Sequence, residues 1–276
     1  MATLLIGANL PDVDVLSYAF GGGLTALTFR RGWTHGVAGL LVLPAVLTAL
    51  IAVWGRVSRR PVDARQVVLL AAISIATHPL LDFMNTYGMR WLMPFGHRWY
   101  YGDALFIVDP WIWTALVVGI VLARGKRDGK YATGALAIVG LYTLAMLGAS
   151  QWEERLIGRE LQASGSQQPR VMVAPVPLNP LRRRVVIDDG DRYRFGTVNW
   201  LHRPAFALEP DEIPKGTEST PAQAASETRE GRAFLSWARF PFFVVEPPGE
   251  MVHIVDARYT LDPNATFAAI TIKLRR

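Results

Sequence analysis

The residues able to do chemistry lie in four short strings between Asp12 and Asp109. NLPDVD places Asp12 and Asp14 one residue apart behind a proline. Pro11 disfavours helix at the preceding residue and stiffens the turn, so both carboxylates project from a fixed, non-helical backbone. Such a pair suits a divalent cation, which cancels their repulsion; each Asp alone also suits an Asx-turn or a helix N-cap. WTHG supplies His35, and THPLLD supplies His78 and Asp82 at i and i+4, one turn apart on one helical face. Imidazole and carboxylate are both ligands for divalent metal, although HxxxD by itself also fits a core His beside a capping Asp. HRWYYGDALFIVDPW adds His97, Arg98, Asp103 and Asp109. The planar fork of Arg98 grips a phosphate or carboxylate; it equally suits a headgroup anchor or a partner for Asp103. Asp109, before Pro110, equally suits a helix cap.

Other chemistries have no support in the sequence. With no Cys in the chain, thiolate metal sites, disulfides and Cys nucleophiles are absent. No Ser-His-Asp spacing is visible, and Gly21-Gly22-Gly23 lacks the Lys-Ser/Thr of a phosphate-cradling loop, reading instead as a kink.

The elements that position these residues belong to a membrane. The chain of 276 residues is 51% hydrophobic and 19% charged, with mean hydropathy +0.21 and net charge +6. Most of that positive excess sits in residues 1–150, which contain no Glu. The basic residues fall between apolar runs rather than along an aromatic-studded stripe, so nucleic acid is not an expected partner. Four runs approach the roughly 20 apolar residues that cross a bilayer: 36–54, 66–81, 104–123 and 131–151. Residues 1–29 are apolar but broken by Pro11, the two acids and the glycine triplet, which predicts a re-entrant or interfacial segment. The loops 55–66 and 124–130 each carry four Lys/Arg and are placed in the cytoplasm by the positive-inside rule. Asp12, Asp14, His35, His78, Asp82, His97, Asp103 and Asp109 then all fall towards the opposite face. Each charge set in a span costs roughly 2.5–3.5 kcal/mol on insertion scales, so their gathering at one face implies a shared purpose.

The order PDVD, RGWTHG, HPLLDFMNTYG and RWYYGDALFIVDPW over residues 5–150 resembles the membrane-bound metal-dependent hydrolases, a family also described as LexA-binding and inner-membrane-associated. The resemblance implies metal ligands at Asp12, Asp14, His35, His78 and Asp82, with a divalent metal, zinc first among them, as cofactor. The ordering of Asp, His and HxxxD is also similar to the zinc-dependent phospholipase C and nuclease group, which implies phosphoester chemistry by analogy of fold. On this reading Asp103 or Asp109 is the general base and Arg98 holds an anionic group of a lipid or lipid-linked substrate in the bilayer. The competing reading is a non-catalytic binding or regulatory membrane protein with a structural polar or metal cluster. Family members open with a further helix bearing a Thr-His pair upstream of PDxD; here the sequence begins MATLLIGANLPDVD, and we expect the coding region to extend upstream.

The remainder reads differently. Residues 152–168 predict a helix ending in a Gly/Ser linker. PVPLNPLRRRVVIDDGDRYRFGTVNW predicts a hairpin around DDGD, residues 209–230 a polar loop with a helix starting after Thr220-Pro221, FPFFVVEPPGEMVHIVDARYTL a second hairpin, and FAAITIKL a last strand. His202 and His253 read as ordinary surface or strand residues. The expected architecture is therefore an α-helical, multi-pass membrane domain (residues 1–151) with about four transmembrane helices and the N-terminal re-entrant segment. A linker (152–168) and a small, strand-rich α+β domain (169–276) follow, the latter on the periplasmic side of the inner membrane.

Reporter fusions test this topology: those at Arg60 and Lys126 should read cytoplasmic, and those at Tyr87 and within 169–276 external. A cytoplasmic signal from the C-terminal domain would reverse the orientation.

Overall fold

The apolar runs fold as helices because a backbone in lipid must satisfy its own hydrogen bonds. The computed structural model describes residues 1–166, 169–203 and 205–274; the last two residues expected in the linker, 167–168, lie outside them. The helices are α1 (Ala2–Asn9), α2 (Ser17–Phe29), α3 (Val37–Val57), α4 (Ala64–Phe83), α5 (Pro110–Lys126), α6 (Lys130–Ala163), α7 (Thr220–Glu227) and α8 (Arg229–Leu235), and a 3₁₀ helix spans Leu10–Leu16. Three of them, α3, α4 and α6, are long and apolar enough to cross a membrane. The fourth expected span, 104–123, contributes a shorter helix. Asp109 caps α5 by accepting from the backbone N–H groups of Trp111 and Ile112, so helix begins only at Pro110 and α5 has 17 residues.

The apolar run 131–151 and the charged run after it form one uninterrupted helix, α6, of 34 residues and about 51 Å. The N-terminal segment is three short helical pieces, the break in α2 falling at Gly22 with φ +69.

By packing, the chain divides into two compact units. One comprises Met1–Phe83, Tyr87–Tyr101 and Thr228–Trp237; the other comprises Met84–Thr86, Gly102–Glu227 and Ala238–Arg276. In the first, α3 and α4 pack through Leu47, Ala71 and Ile75, with Leu10 and Leu40 against them. Helix α1 lies so close to α4 that a Cβ on Gly7 would come within 2.1 Å of Ser74 Oγ. Helix α3 begins where α4 ends, so the start of one and the end of the other share one side of the pair.

The second unit holds α5, α6 and seven strands among its described residues: β1 (Arg170–Val176), β2 (Asn179–Asp188), β3 (Arg192–Asn199), β4 (Phe206–Pro214), β5 (Pro241–Glu246), β6 (Met251–Asp256) and β7 (Ala269–Lys273). The first four form an antiparallel meander and the last three a second antiparallel sheet. Ile157 and Leu161 of α6 pack on Val171, Val173, Val185 and Ile187. From its other face the meander offers Met172, Val186 and Phe195 to Phe240, just before β5, and to Phe242 and Val255 of the second sheet.

Both expected hairpins and the final strand are present. Two strands correct the expectation. β1 is buried on both faces, so its apolar residues do not alternate. β4 occupies part of the predicted polar loop; it is an edge strand with nearly every residue exposed, so it carries no apolar periodicity either.

Phe195→Ala, which hollows the layer between the sheets, should destabilise the C-terminal domain by about 3–5 kcal/mol. Leu208→Ala on exposed β4 should change stability by no more than about 0.5 kcal/mol. Urea unfolding followed by Trp fluorescence compares them.

Candidate metal centre

Four side chains from three places in the first unit converge. Asp12 comes from the 3₁₀ helix, His35 from the turn before α3, and His78 and Asp82 from the last turns of α4; donor atoms of all four lie within 4.8 Å of one another. His35 Nε2 is 3.3 Å from Asp82 Oδ2 and 3.9 Å from Asp12 Oδ1. His78 Nε2 is 3.7 Å from Asp82 Oδ2 and 3.5 Å from Asp12 Oδ2. A tetrahedral ion with ligands at about 2.0–2.1 Å separates those ligands by about 3.3–3.4 Å. The two histidines stand at that spacing or a few tenths of an ångström wider from Asp82 Oδ2, at 3.3 and 3.7 Å, and half-exposed Asp12 closes the remaining side at 3.5–3.9 Å.

The cluster is short of partners. His35 Nε2, His78 Nε2 and Asp82 Oδ2 are all buried and have no hydrogen bond among the described residues. Leaving a buried polar atom unsatisfied costs about 1–3 kcal/mol, and three aimed at one point fit a divalent cation.

Each imidazole is set from behind. His78 Nδ1 lies 2.6 Å from the Ala8 carbonyl oxygen; a carbonyl only accepts, so Nδ1 carries the proton and the lone pair is on Nε2. His35 Nδ1 faces Asp14 Oδ2 at 3.3 Å and Thr34 Oγ1 at 2.9 Å, which again leaves Nε2 to the cluster. Such partners orient a ligating His and fix its tautomer. Gly7 governs the first of them, because its lack of a side chain brings α1, and with it the Ala8 carbonyl, against α4.

Asp14 thus differs from the role expected of it. Its Oδ2 accepts from the Arg31 backbone N–H at 2.8 Å and from Thr34 Oγ1 at 3.1 Å, and Arg30 Nε lies 3.4 Å from Oδ1. It is fully buried, and both oxygens are engaged behind His35. Burial opposes its ionisation, but the contacts with His35 and the Arg31 N–H prevail and hold its pKa below the usual carboxylate range.

Two arginines just before GWTH complete the centre. Arg31 is buried with φ +52; its backbone holds Asp14 and its guanidinium donates to Asp82 Oδ1 at 2.9 Å, turning Oδ2 towards the histidines. Arg30 places its guanidinium 3.7 Å from Asp12 Oδ1, beside the one carboxylate that is half exposed. Arg90 donates to the carbonyls of Thr28 and Arg30 and fixes this turn. The only sequence signal was adjacency to WTH, because a left-handed arginine cannot be read from composition.

The remaining candidates lie elsewhere. Arg98 is exposed and stacks over Tyr100. In the second unit Asp103 is paired with Arg239, with burial raising its pKa and Arg239 opposing the rise. Asp109 caps α5 and accepts from Tyr142 Oη at 3.0 Å. His253 is buried within β6, whose residues do not alternate, and bonds Glu246.

Residues 1–152 match the YdjM inner membrane protein family; the matched span contains all four converging side chains and ends before β1. Over 92 residues the chain is 33% identical to the inner membrane protein YbcI of Escherichia coli (strain K12), which covers 33% of this chain and 50% of YbcI. The chain therefore spans about half the length of this curated relative. No solved structure matches it.

His78→Ala should abolish stoichiometric zinc in the purified protein, whereas Asp14→Asn should retain a site weakened about 10–100-fold. Gly7→Ala should also weaken it, by displacing the Ala8 carbonyl. Zinc titration against a competing chelator ranks the three, and undiminished zinc in His78→Ala would contradict the assignment.

Proposed function

The chain belongs to the YdjM inner membrane protein family, and on that premise we propose that it is a membrane-bound, metal-dependent hydrolase of phosphoester or lipid-linked substrates. The observation that carries this reading is the set of three buried, unpartnered donor atoms, His35 Nε2, His78 Nε2 and Asp82 Oδ2. Three protein ligands with an open fourth position are the pattern of catalytic rather than structural zinc sites. A divalent ion held there would lower the pKa of water and polarise the scissile phosphoester.

The chain's own residues supply the rest. Asp14 and the Ala8 carbonyl keep the protons of both histidines on Nδ1, and Arg31 keeps Asp82 turned inwards. Asp12, half exposed beside the cluster, is the carboxylate placed to orient the attacking water and accept its proton. Arg30, next to Asp12, takes the anion-holding role that the sequence suggested for Arg98. Asp103 and Asp109 receive no catalytic role, since each is committed to a partner in its own unit.

The same reading places the site at the non-cytoplasmic face. His35 precedes α3 and the HxxxD pair ends α4, whereas the arginine-rich 55–66 loop joins their other ends. We further read α5 and α6 as a membrane hairpin closed by the basic 124–130 loop, which makes α5 the fourth crossing and puts the C-terminal domain in the periplasm. The N-terminal helices are the re-entrant segment, packed on α4 through Gly7.

Zinc-loaded protein in lipid nanodiscs should hydrolyse bis(p-nitrophenyl) phosphate or phospholipid headgroup esters. Asp12→Asn should keep its zinc and lose about 10²–10⁴-fold in rate, the usual contribution of a general base. Arg30→Lys should lower kcat/KM about tenfold, or about 1.4 kcal/mol, with zinc unchanged. Bound zinc without turnover on any phosphoester would make the centre a metal-holding cluster rather than a catalytic one.

A further inference from the structure

The second unit carries an apolar face that neither of its cores uses, assembled from two strand turns and the ends of two helices. Trp111, in the first turn of α5, donates its indole N–H to the Leu178 carbonyl in the β1–β2 turn at 3.2 Å. Trp200, in the β3–β4 connection, donates its backbone N–H to the Leu181 carbonyl at 3.1 Å. Its ring meets that of Trp152 of α6 edge-on, with centroids 6.3 Å apart. These contacts make the face continuous, yet its side chains point outwards: Leu178 is 71% exposed and Leu201 75%.

Leu178 stands at an unusual position for a leucine. Its φ of +67 lies in the left-handed region, where glycine or asparagine is the usual choice, and its side chain is largely exposed.

The level of this face follows from the helices. The uncharged run 131–151 of α6 is about 31 Å long, matching a hydrocarbon core of about 30 Å, and Trp152 is the residue that follows it. α5 and α6 are antiparallel neighbours joined by a short loop, so the first turn of α5 lies on the same side as the end of that run. Asp109 reaches Tyr142 of α6, so Trp111 sits about ten residues, roughly 15 Å along the hairpin, below Trp152, and the two tryptophans bracket the stretch from acyl chains to headgroups, where tryptophan concentrates. Leu178 is tied to the first and Trp200 to the second. Exposed Arg182 follows Leu181 and exposed Arg203 lies two residues after Leu201, and guanidinium groups there suit lipid phosphate.

We propose that the β1–β2 and β3–β4 turns of the C-terminal domain insert into the bilayer leaflet from which α6 emerges, with Leu178, Trp200 and Leu201 among the acyl chains and Arg182 and Arg203 on the phosphates. The occupant of the face is anionic phospholipid. The inference rests on α6 crossing the membrane and not on the hydrolase reading.

Because the chain has no Cys, single cysteines report on it directly. The full-length variants Leu178→Cys and Leu201→Cys, labelled with an environment-sensitive fluorophore, go into vesicles of phosphatidylethanolamine and phosphatidylglycerol. Asp191→Cys, in the β2–β3 turn at the opposite end of the meander, is the reference. The two leucine positions should be quenched by lipid brominated near the top of its acyl chains, and quenched by aqueous iodide several-fold less than position 191. Adding Leu201→Asp should return the 178 probe towards iodide. Equal iodide quenching at all three positions would overturn the proposal. So would shielding from both iodide and brominated lipid, which would show a protein, whether a second copy or another partner, on this face.

Discussion

Two imidazoles pinned from behind are the constraint on which the N-terminal half of this structure depends. A histidine that donates Nδ1–H to a fixed acceptor has only Nε2 left to offer, and here both histidines offer it to the same point. Asp82 arrives with one oxygen already spent on Arg31 and the other free. The cluster thus presents lone pairs to lone pairs. That arrangement is repulsive in isolation and favourable around a cation, so the second layer of contacts is what keeps the centre assembled. Desolvating charged groups costs several kcal/mol per ion, and the centre tolerates it because each carboxylate has a guanidinium or backbone N–H alongside.

Several local features serve that convergence. Gly7 sets the depth at which α1 meets α4 and so the height of the Ala8 carbonyl. The turn carrying His35 is held by Arg90 through the Thr28 and Arg30 carbonyls. The left-handed Arg31 lets its backbone serve Asp14 while its side chain serves Asp82. In α4, the HxxxD spacing puts both donors on one face, and Pro79 between them removes a backbone N–H where the helix approaches its end. These are tethers on short, irregular segments, with α3 and α4 as the rigid elements behind them.

The sequence made the ligand types readable because spacing carries them. His78 and Asp82 are a helical pair by count, and the uncharged runs mark α3, α4 and α6. The hairpins around DDGD and EPPGE were equally plain, since turn residues interrupt alternating apolar ones. What stayed hidden was three-dimensional. Asp12 and Asp14 look equivalent in PDVD, yet one faces the cluster and the other supports His35. Arg30 and Arg31 look like topology charges, yet they brace the carboxylates. Asp103 and Asp109 sit in strings that resemble a hydrolase family, yet one pairs with Arg239 and the other caps α5. β1 and β4 escaped because one is buried on both faces and the other on neither, so neither alternates.

X-ray absorption at the zinc edge of the metal-loaded, full-length protein is the most direct test of the central claim. The account predicts a first shell of nitrogen and oxygen at about 2.0–2.1 Å, with outer-shell scattering from two imidazoles, and loss of that signal together with the bound zinc in His35→Ala. A shell with no imidazole contribution, or one unchanged in that variant, would contradict it.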